Sequence, residues 1–386
     1  MIRLCVSQQK NTIPYVFCQT GQRVYTFEES QYYVYHNWRL VSDEFLNEGF
    51  ASWLANIGLS FLSSKMRDIS LLPTFSMRII KFLRHTDFFD EDELDHLSSR
   101  LEKWEARQDY EKLKERADFF IKIGEPIKAI PLYRQAIALE ENEKLLNNLG
   151  VALMQTQNYV EAVVCFNRAY NLSPACADVS FGLVESLIRT GNTKEARVRL
   201  DKLRGIQDSA DYYYLQGLLA WAEKRHLDCL TYLKDACKLN PQSDFFVYEV
   251  SSKLTAMRQF ESAINFLENS PVRDSSFYAH QADVYKAAND YPSAIKAVKK
   301  AIELSNNKSP TLHTKLAGLY RQDYNLPQAE SSVLTALGVD PENELAKLEL
   351  ARIKKAQGRL RDYQTGLNDV LGGFKRKYSS GGYYAR

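Results

Sequence analysis

The 386-residue chain is short of the devices that carry catalysis. It has no glycine-rich loop that could cradle phosphate, no H-E-x-x-H helix and no G-x-S-x-G elbow, so three ways of activating a nucleophile or a metal-bound water are missing. Its six cysteines (Cys5, Cys18, Cys165, Cys176, Cys229 and Cys237) form no C-x-x-C pair. The four from Cys165 onward mostly fall on helices where a small apolar side chain would serve, so reduced, buried thiols are expected. Long apolar runs are absent too. The longest uncharged stretch, residues 49–64, is too short and too polar to span a bilayer, and the N-terminus MIRLCVSQQK has no apolar signal core, so a cytoplasmic location is expected. A net charge of +2 supplies no field that would select nucleic acid or membrane. Five of the six histidines (His36, His85, His226, His280 and His313) sit singly in helical patterns beside apolar residues, which reads as structural. No catalytic residue, cofactor or metal is expected, and the chain reads as a non-enzyme.

What is present is a repeat. Residues 143–176, EKLLNNLGVALMQTQNYVEAVVCFNRAYNLSPAC, read as two amphipathic helices and a turn. Gly150, Ala162 and Ala169 are small where two helices would cross, and Leu146, Leu149, Leu153 and Phe166 are large where space would remain. Pro174 stops the second helix. This pattern resembles the tetratricopeptide repeat, a unit of roughly 34 residues. Aligning the small residue of the second helix gives Ala129, Ala162, Ala196, Cys229, Ala263, Ala294, Ala329 and Tyr363. Units then start near Tyr110, Glu143, Ala177, Ala210, Asp244, Ser275, Pro310 and Glu344. The expected fold is mainly α: a right-handed α-solenoid of about eight helix pairs over residues 109–372, preceded by a small α+β domain at 1–108. Lys354, Lys355, Arg359, Arg361 and Asp362 suit a solvated closing face. A basic, glycine-rich tail at 373–386 is expected to be mobile.

Residues 1–30 alternate apolar and polar, with Ile2, Leu4 and Val6, then Tyr15 and Phe17, then Val24, which predicts two or three short strands. Thr26 with Glu29 predicts a helix from Phe27 to about Val41, and Ser42 the cap of the next. The run from Asp90 to Asp95 beside His96 has acidic residues where a helix N-terminus favours them, and a metal site is not proposed there. The stretch RVYTFEESQYYVYHNWRLVSDEF is similar to the leader of uncharacterised tetratricopeptide proteins of anaerobic gram-positive bacteria, a resemblance that brings no function with it.

The resemblance implies that first helices line a concave face and that positions two, five, nine, twelve and thirteen point into it. Position five carries Lys114, Asn147, Phe181, Tyr214, Tyr248, Ala279 and Thr314. Phe181, Tyr214 and Tyr248, joined by Leu218, Trp221 and Phe245 and flanked by Glu185 and Arg189, form the expected aromatic groove for a protein or peptide partner. The alternative for these rings is packing against the adjacent helix. The carboxylate clamp known in some members is matched only by Lys114 and Asn148; Asp118, Asp178 and Gly182 stand where amide or basic residues belong. The expected function is a protein-interaction scaffold. The competing reading is a peptide-sensing transcriptional regulator whose N-terminal domain binds DNA, although no basic recognition helix is evident there.

Overall fold

The structure is a computed structural model that describes residues 13–18, 20–41, 43–86, 88–203, 209–307, 309–341 and 343–379. The chain divides into two compact units, Met1–Thr190 and Gly191–Arg386.

The first unit opens with a two-stranded antiparallel sheet, β1 (Tyr15–Phe17) and β2 (Gln22–Val24), with Tyr15 opposite Val24. Gly21 makes the turn in the left-handed region, where a side chain would be strained. The strand expected at Ile2–Val6 lies outside the described residues, as does Cys5. Helix α1 (Phe27–Asn37) starts where the Thr26 hydroxyl accepts the Glu29 N–H, while the Glu29 carboxylate accepts the N–H of Tyr25. It stops short of Val41 because the Leu40 and Val41 amides both turn back onto the Asn37 carbonyl. A 3-10 turn at Asp43–Leu46 follows, and α2 (Glu48–Asn56) is capped by Asn47, whose side chain accepts the Phe50 N–H. Ser42, the expected cap, lies outside the described residues.

Then come α3 (Ser60–Ser70), α4 (Phe75–Leu83) and α5 (Glu91–Glu105). Asp90 and Glu93 close a reciprocal capping box on α5, so these two carboxylates are occupied by backbone N–H groups. These elements enclose one aromatic core, in which Phe27, Phe50, Phe82, Trp38 and Trp104 meet mainly edge-to-face. Gln31, fully buried there, is satisfied: its amide donates to the Phe82 carbonyl at 2.7 Å and its oxygen accepts from Thr86 at 2.6 Å.

Helix pairing begins with α6 (Asp109–Lys122) and α7 (Pro126–Leu139), then α8 (Glu143–Gln155), α9 (Tyr159–Leu172) and α10 (Ala177–Arg189). Phe166 of α9 shows why the small residues recur. A Cβ at Gly150 of α8 would stand 2.7 Å from its ring, and one at Gly182 of α10 would stand 2.6 Å away. The ring is fully buried and sits where two helices present no side chain at all.

The second unit continues with α11 (Thr193–Leu203), α12 (Ala210–Ala222), α13 (His226–Leu239), α14 (Asp244–Ala256), α15 (Phe260–Glu268), α16 (Ser275–Ala287), α17 (Tyr291–Leu304), α18 (Pro310–Gln322), α19 (Leu326–Val339), α20 (Glu344–Ala356) and α21 (Leu360–Ser379). Gly217 repeats the local solution, its missing Cβ leaving room for Leu233. The end departs from expectation at Lys354. Lys354 does not face solvent; it turns inward to Glu330 of α19, which also accepts from Gln357 at 2.7 Å, and these donors hold the Glu330 carboxyl below its usual pKa. Helix α21 runs through Gly372 and Gly373 to Ser379. Two glycines cost such a helix about 1 kcal/mol each, while Lys375, Arg376 and Lys377 are good helix formers.

One backbone feature marks every first-to-second helix turn. Gly124, Gln157, Gly191, Lys224, Arg258, Asn289, Tyr324 and Gly358 all have positive φ, and each lies just past the end of a first helix. The left-handed residue lets the next backbone N–H satisfy an orphan carbonyl of the helix before it: Asn158 bonds Leu153, Arg225 bonds Ala220, and Asn325 bonds Tyr320. Among the described residues no helix is long and apolar enough to cross a membrane.

Candidate docking surface on the first helices

Helices α12, α14 and α16 bring most of the expected groove residues together. Tyr214 and Leu218 are only 6% and 3% exposed, so for these two side chains the alternative, packing against the adjacent helix, applies. The cause lies in the next repeat: Phe245 packs edge-on against Tyr214 at 5.0 Å and Phe246 tilts against it at 6.1 Å. Position five of one first helix is thus roofed by positions two and three of the following one. Phe245 itself is 46% exposed, so the aromatic surface is displaced outward onto it while Tyr214 becomes its support.

Tyr248, half-buried, stacks on His280 of α16 with centroids 4.5 Å apart. Its hydroxyl lies 3.4 Å from a carboxylate oxygen of Asp274. Burial, helped by the negative charges of Asp274 and Asp244, pushes the Tyr248 pKa up. His280 lies 2.6 Å from the fully buried Ser251 hydroxyl through Nε2, and burial pushes its pKa down. The contact ties α14 to α16. Trp221 packs on His226 at 4.5 Å, and the Lys253 ammonium lies 4.9 Å from its ring centroid while pairing with Glu249 at 3.7 Å.

Phe181, Glu185 and Arg189 lie on α10 of the first unit. Phe181 is half-buried, and Glu185 and Arg189 pair at 3.2 Å, one turn apart. In the same unit a cleft of about 830 Å³ is lined by Lys114, Asp118, Glu143 and Lys144 among others. Its charges are largely matched internally. Asp118 accepts from Lys114 at 2.6 Å, from the Tyr133 hydroxyl at 2.6 Å and from Asn148 at 3.1 Å. Lys114 and Asn148, the two residues that fit a carboxylate clamp, are therefore engaged with an aspartate of the chain itself.

Sequence reasoning did not single out Lys253, His280 or Asp274. The repeat phase that gave Tyr248 also puts Glu249 and Lys253 four residues apart on α14, a pairing spacing legible without a structure. The Tyr248–His280 stack joins two repeats and has no local signal.

Residues 153–219, and again 210–243 and 275–308, match the tetratricopeptide repeat family. Among curated proteins the chain is 25% identical over 252 residues to the human protein O-mannosyl-transferase TMTC3, covering 61% of this chain and 27% of that one. It is 20% identical over 231 residues to the TPR repeat-containing protein MJ1428 of Methanocaldococcus jannaschii, covering 54% and 41%. The chain therefore spans less than half the length of each of these relatives. A solved tetratricopeptide repeat protein from Parabacteroides merdae aligns over 63% of this chain and 98% of its own, at 18% identity and a TM-score of 0.42.

Proposed function

We propose that the array over residues 109–372 is a non-catalytic scaffold that docks a peptide or protein segment along its first helices. Phe245, Tyr248 and Trp221 make the contacts, and Tyr214 and Leu218 form the floor beneath them. Phe181, Glu185 and Arg189 occupy the corresponding repeat positions on α10. The observation that supports this reading is Phe245: a large aromatic ring, 46% exposed, rests on a buried aromatic floor, and such rings are where binding energy concentrates. Repeats of this family generally mediate interactions between proteins.

Selection of displayed random peptides on the full chain and on its Phe245→Ala variant tests the proposal. Peptides enriched on the parent are expected to lose about tenfold or more in affinity on the variant. Equal enrichment on both would overturn the assignment of this surface.

A further inference from the structure

Three carboxylates edge the aromatic surface. Asp211, Asp244 and Asp274 stand at the N-terminal ends of α12, α14 and α16, and all three are exposed. Each has a local reason to be there, since a helix N-terminus favours negative charge and Asp274 caps α16 through the Phe277 N–H. That explains their placement but leaves their charge unmatched. Among the described residues none of the three takes part in an ion pair. Arg273, next to Asp274, is committed elsewhere: its guanidinium donates to the carbonyls of Leu267, Glu268, Ser270 and Val272 around the end of α15. Lys253 lies about two and a half turns along α14 from Asp244, held by Glu249 and the Trp221 ring.

The negative edge also belongs to the aromatic surface rather than merely lying near it. Asp244 directly precedes Phe245, Asp211 is one turn before Tyr214 on α12, and Asp274 meets the Tyr248 hydroxyl. Resting on the docking role proposed above, we infer that the Phe245–Tyr248 surface takes a basic peptide, one that sets an apolar or aromatic side chain against Phe245 and places lysine or arginine beside Asp211, Asp244 and Asp274. The charges give partner choice and the ring gives adhesion. Aromatic faces at Phe245 and Tyr248 add a second attraction for a guanidinium or ammonium group. The same edge repels acidic peptides and nucleic acid.

The test uses the full chain and the Phe245-dependent peptides from the selection described above, in libraries of about 12 residues, long enough to cross successive first helices. Their net charge is counted, and their affinity is measured by fluorescence anisotropy at about 50 and 300 mM salt, where screening differs strongly. The expected result is a basic set whose affinity falls about tenfold or more with salt, and falls about fivefold or more in the double variant Asp211→Asn, Asp244→Asn at low salt. Phe245-dependent peptides that are neutral or acidic, or basic ones indifferent to both aspartates, would overturn the inference while leaving the docking role intact. No Phe245-dependent peptide at all would overturn both. The double variant removes no capping side chain of α16, and circular dichroism checks that its helices persist.

Discussion

Phe166 is the residue on which packing in the first unit turns, because its ring occupies space that Gly150 and Gly182 leave empty on either side. A ring hemmed from both sides cannot retreat from an added methyl group. Gly150→Ala is therefore expected to cost about 1–3 kcal/mol in chemical denaturation, even though alanine is the better helix former. Trimming the ring as well, in Gly150→Ala with Phe166→Leu, should recover part of that loss, a coupling that a double-mutant cycle reads directly. Tyr324 presents the opposite case. It is 91% exposed with φ at 59°, so its side chain contributes little packing and holds the backbone in a conformation that L-residues resist. Tyr324→Gly should stabilise the protein by about 0.5–1 kcal/mol, measured as a rise in denaturation midpoint at unchanged slope. His280 sets a pH dependence. Burial lowers its folded pKa below the ordinary 6.5, so the unfolded chain binds the proton more readily. Its contribution to stability is complete above that value and is lost as pH falls below it. Replacing it by glutamine should flatten the decline in stability as pH falls below about 6.5, measured by chemical denaturation across that range.

At the scale of helices, the sequence was most legible where two backbones approach each other. Gly150, Ala162, Ala169 and their equivalents are small for a reason that needs no knowledge of the neighbouring repeat, and so the helix pairs could be read from one strand of text. Exposure could not. Tyr214 is buried because Phe245 and Phe246, some thirty residues on, cover it, and Lys354 turns inward because Glu330 on the preceding helix holds it. Both outcomes depend on contacts between elements, which periodicity within an element does not encode. The ends of helices are legible to the extent that their caps are local: Thr26 with Glu29 marks the start of α1, whereas Asn47, which caps α2, stands in a stretch that offers several capping side chains. The turns between first and second helices share a left-handed residue that is glycine in only some repeats, so composition alone does not reveal it. A general consequence follows for helix pairs that rest on their neighbours. Gly150→Ala should speed hydrogen exchange in α8, α9 and α10 before it affects α16 to α19, because each pair is stabilised chiefly by those adjacent to it. Uniform acceleration throughout would mean a single cooperative block instead.

For the molecule as a whole, the repeats supply a series of first helices whose outward residues vary while their packing residues stay nearly fixed. That division lets a surface such as Phe245 with Tyr248 be specialised without disturbing the fold, since Phe245 is half exposed and the residues that hold α12, α13 and α14 together lie beneath it. On the docking role proposed above, this surface, rather than apolar exposure in general, takes the partner. Leu227 on α13 offers the matching control, being 74% exposed on a second helix. The decisive measurement is calorimetric titration of one selected peptide into the parent chain, Phe245→Ala and Leu227→Ala. A loss of about 1.4 kcal/mol or more, tenfold in affinity, is expected for Phe245→Ala and no change for Leu227→Ala. Equal losses in the two variants, or an unchanged affinity in Phe245→Ala, would contradict that role.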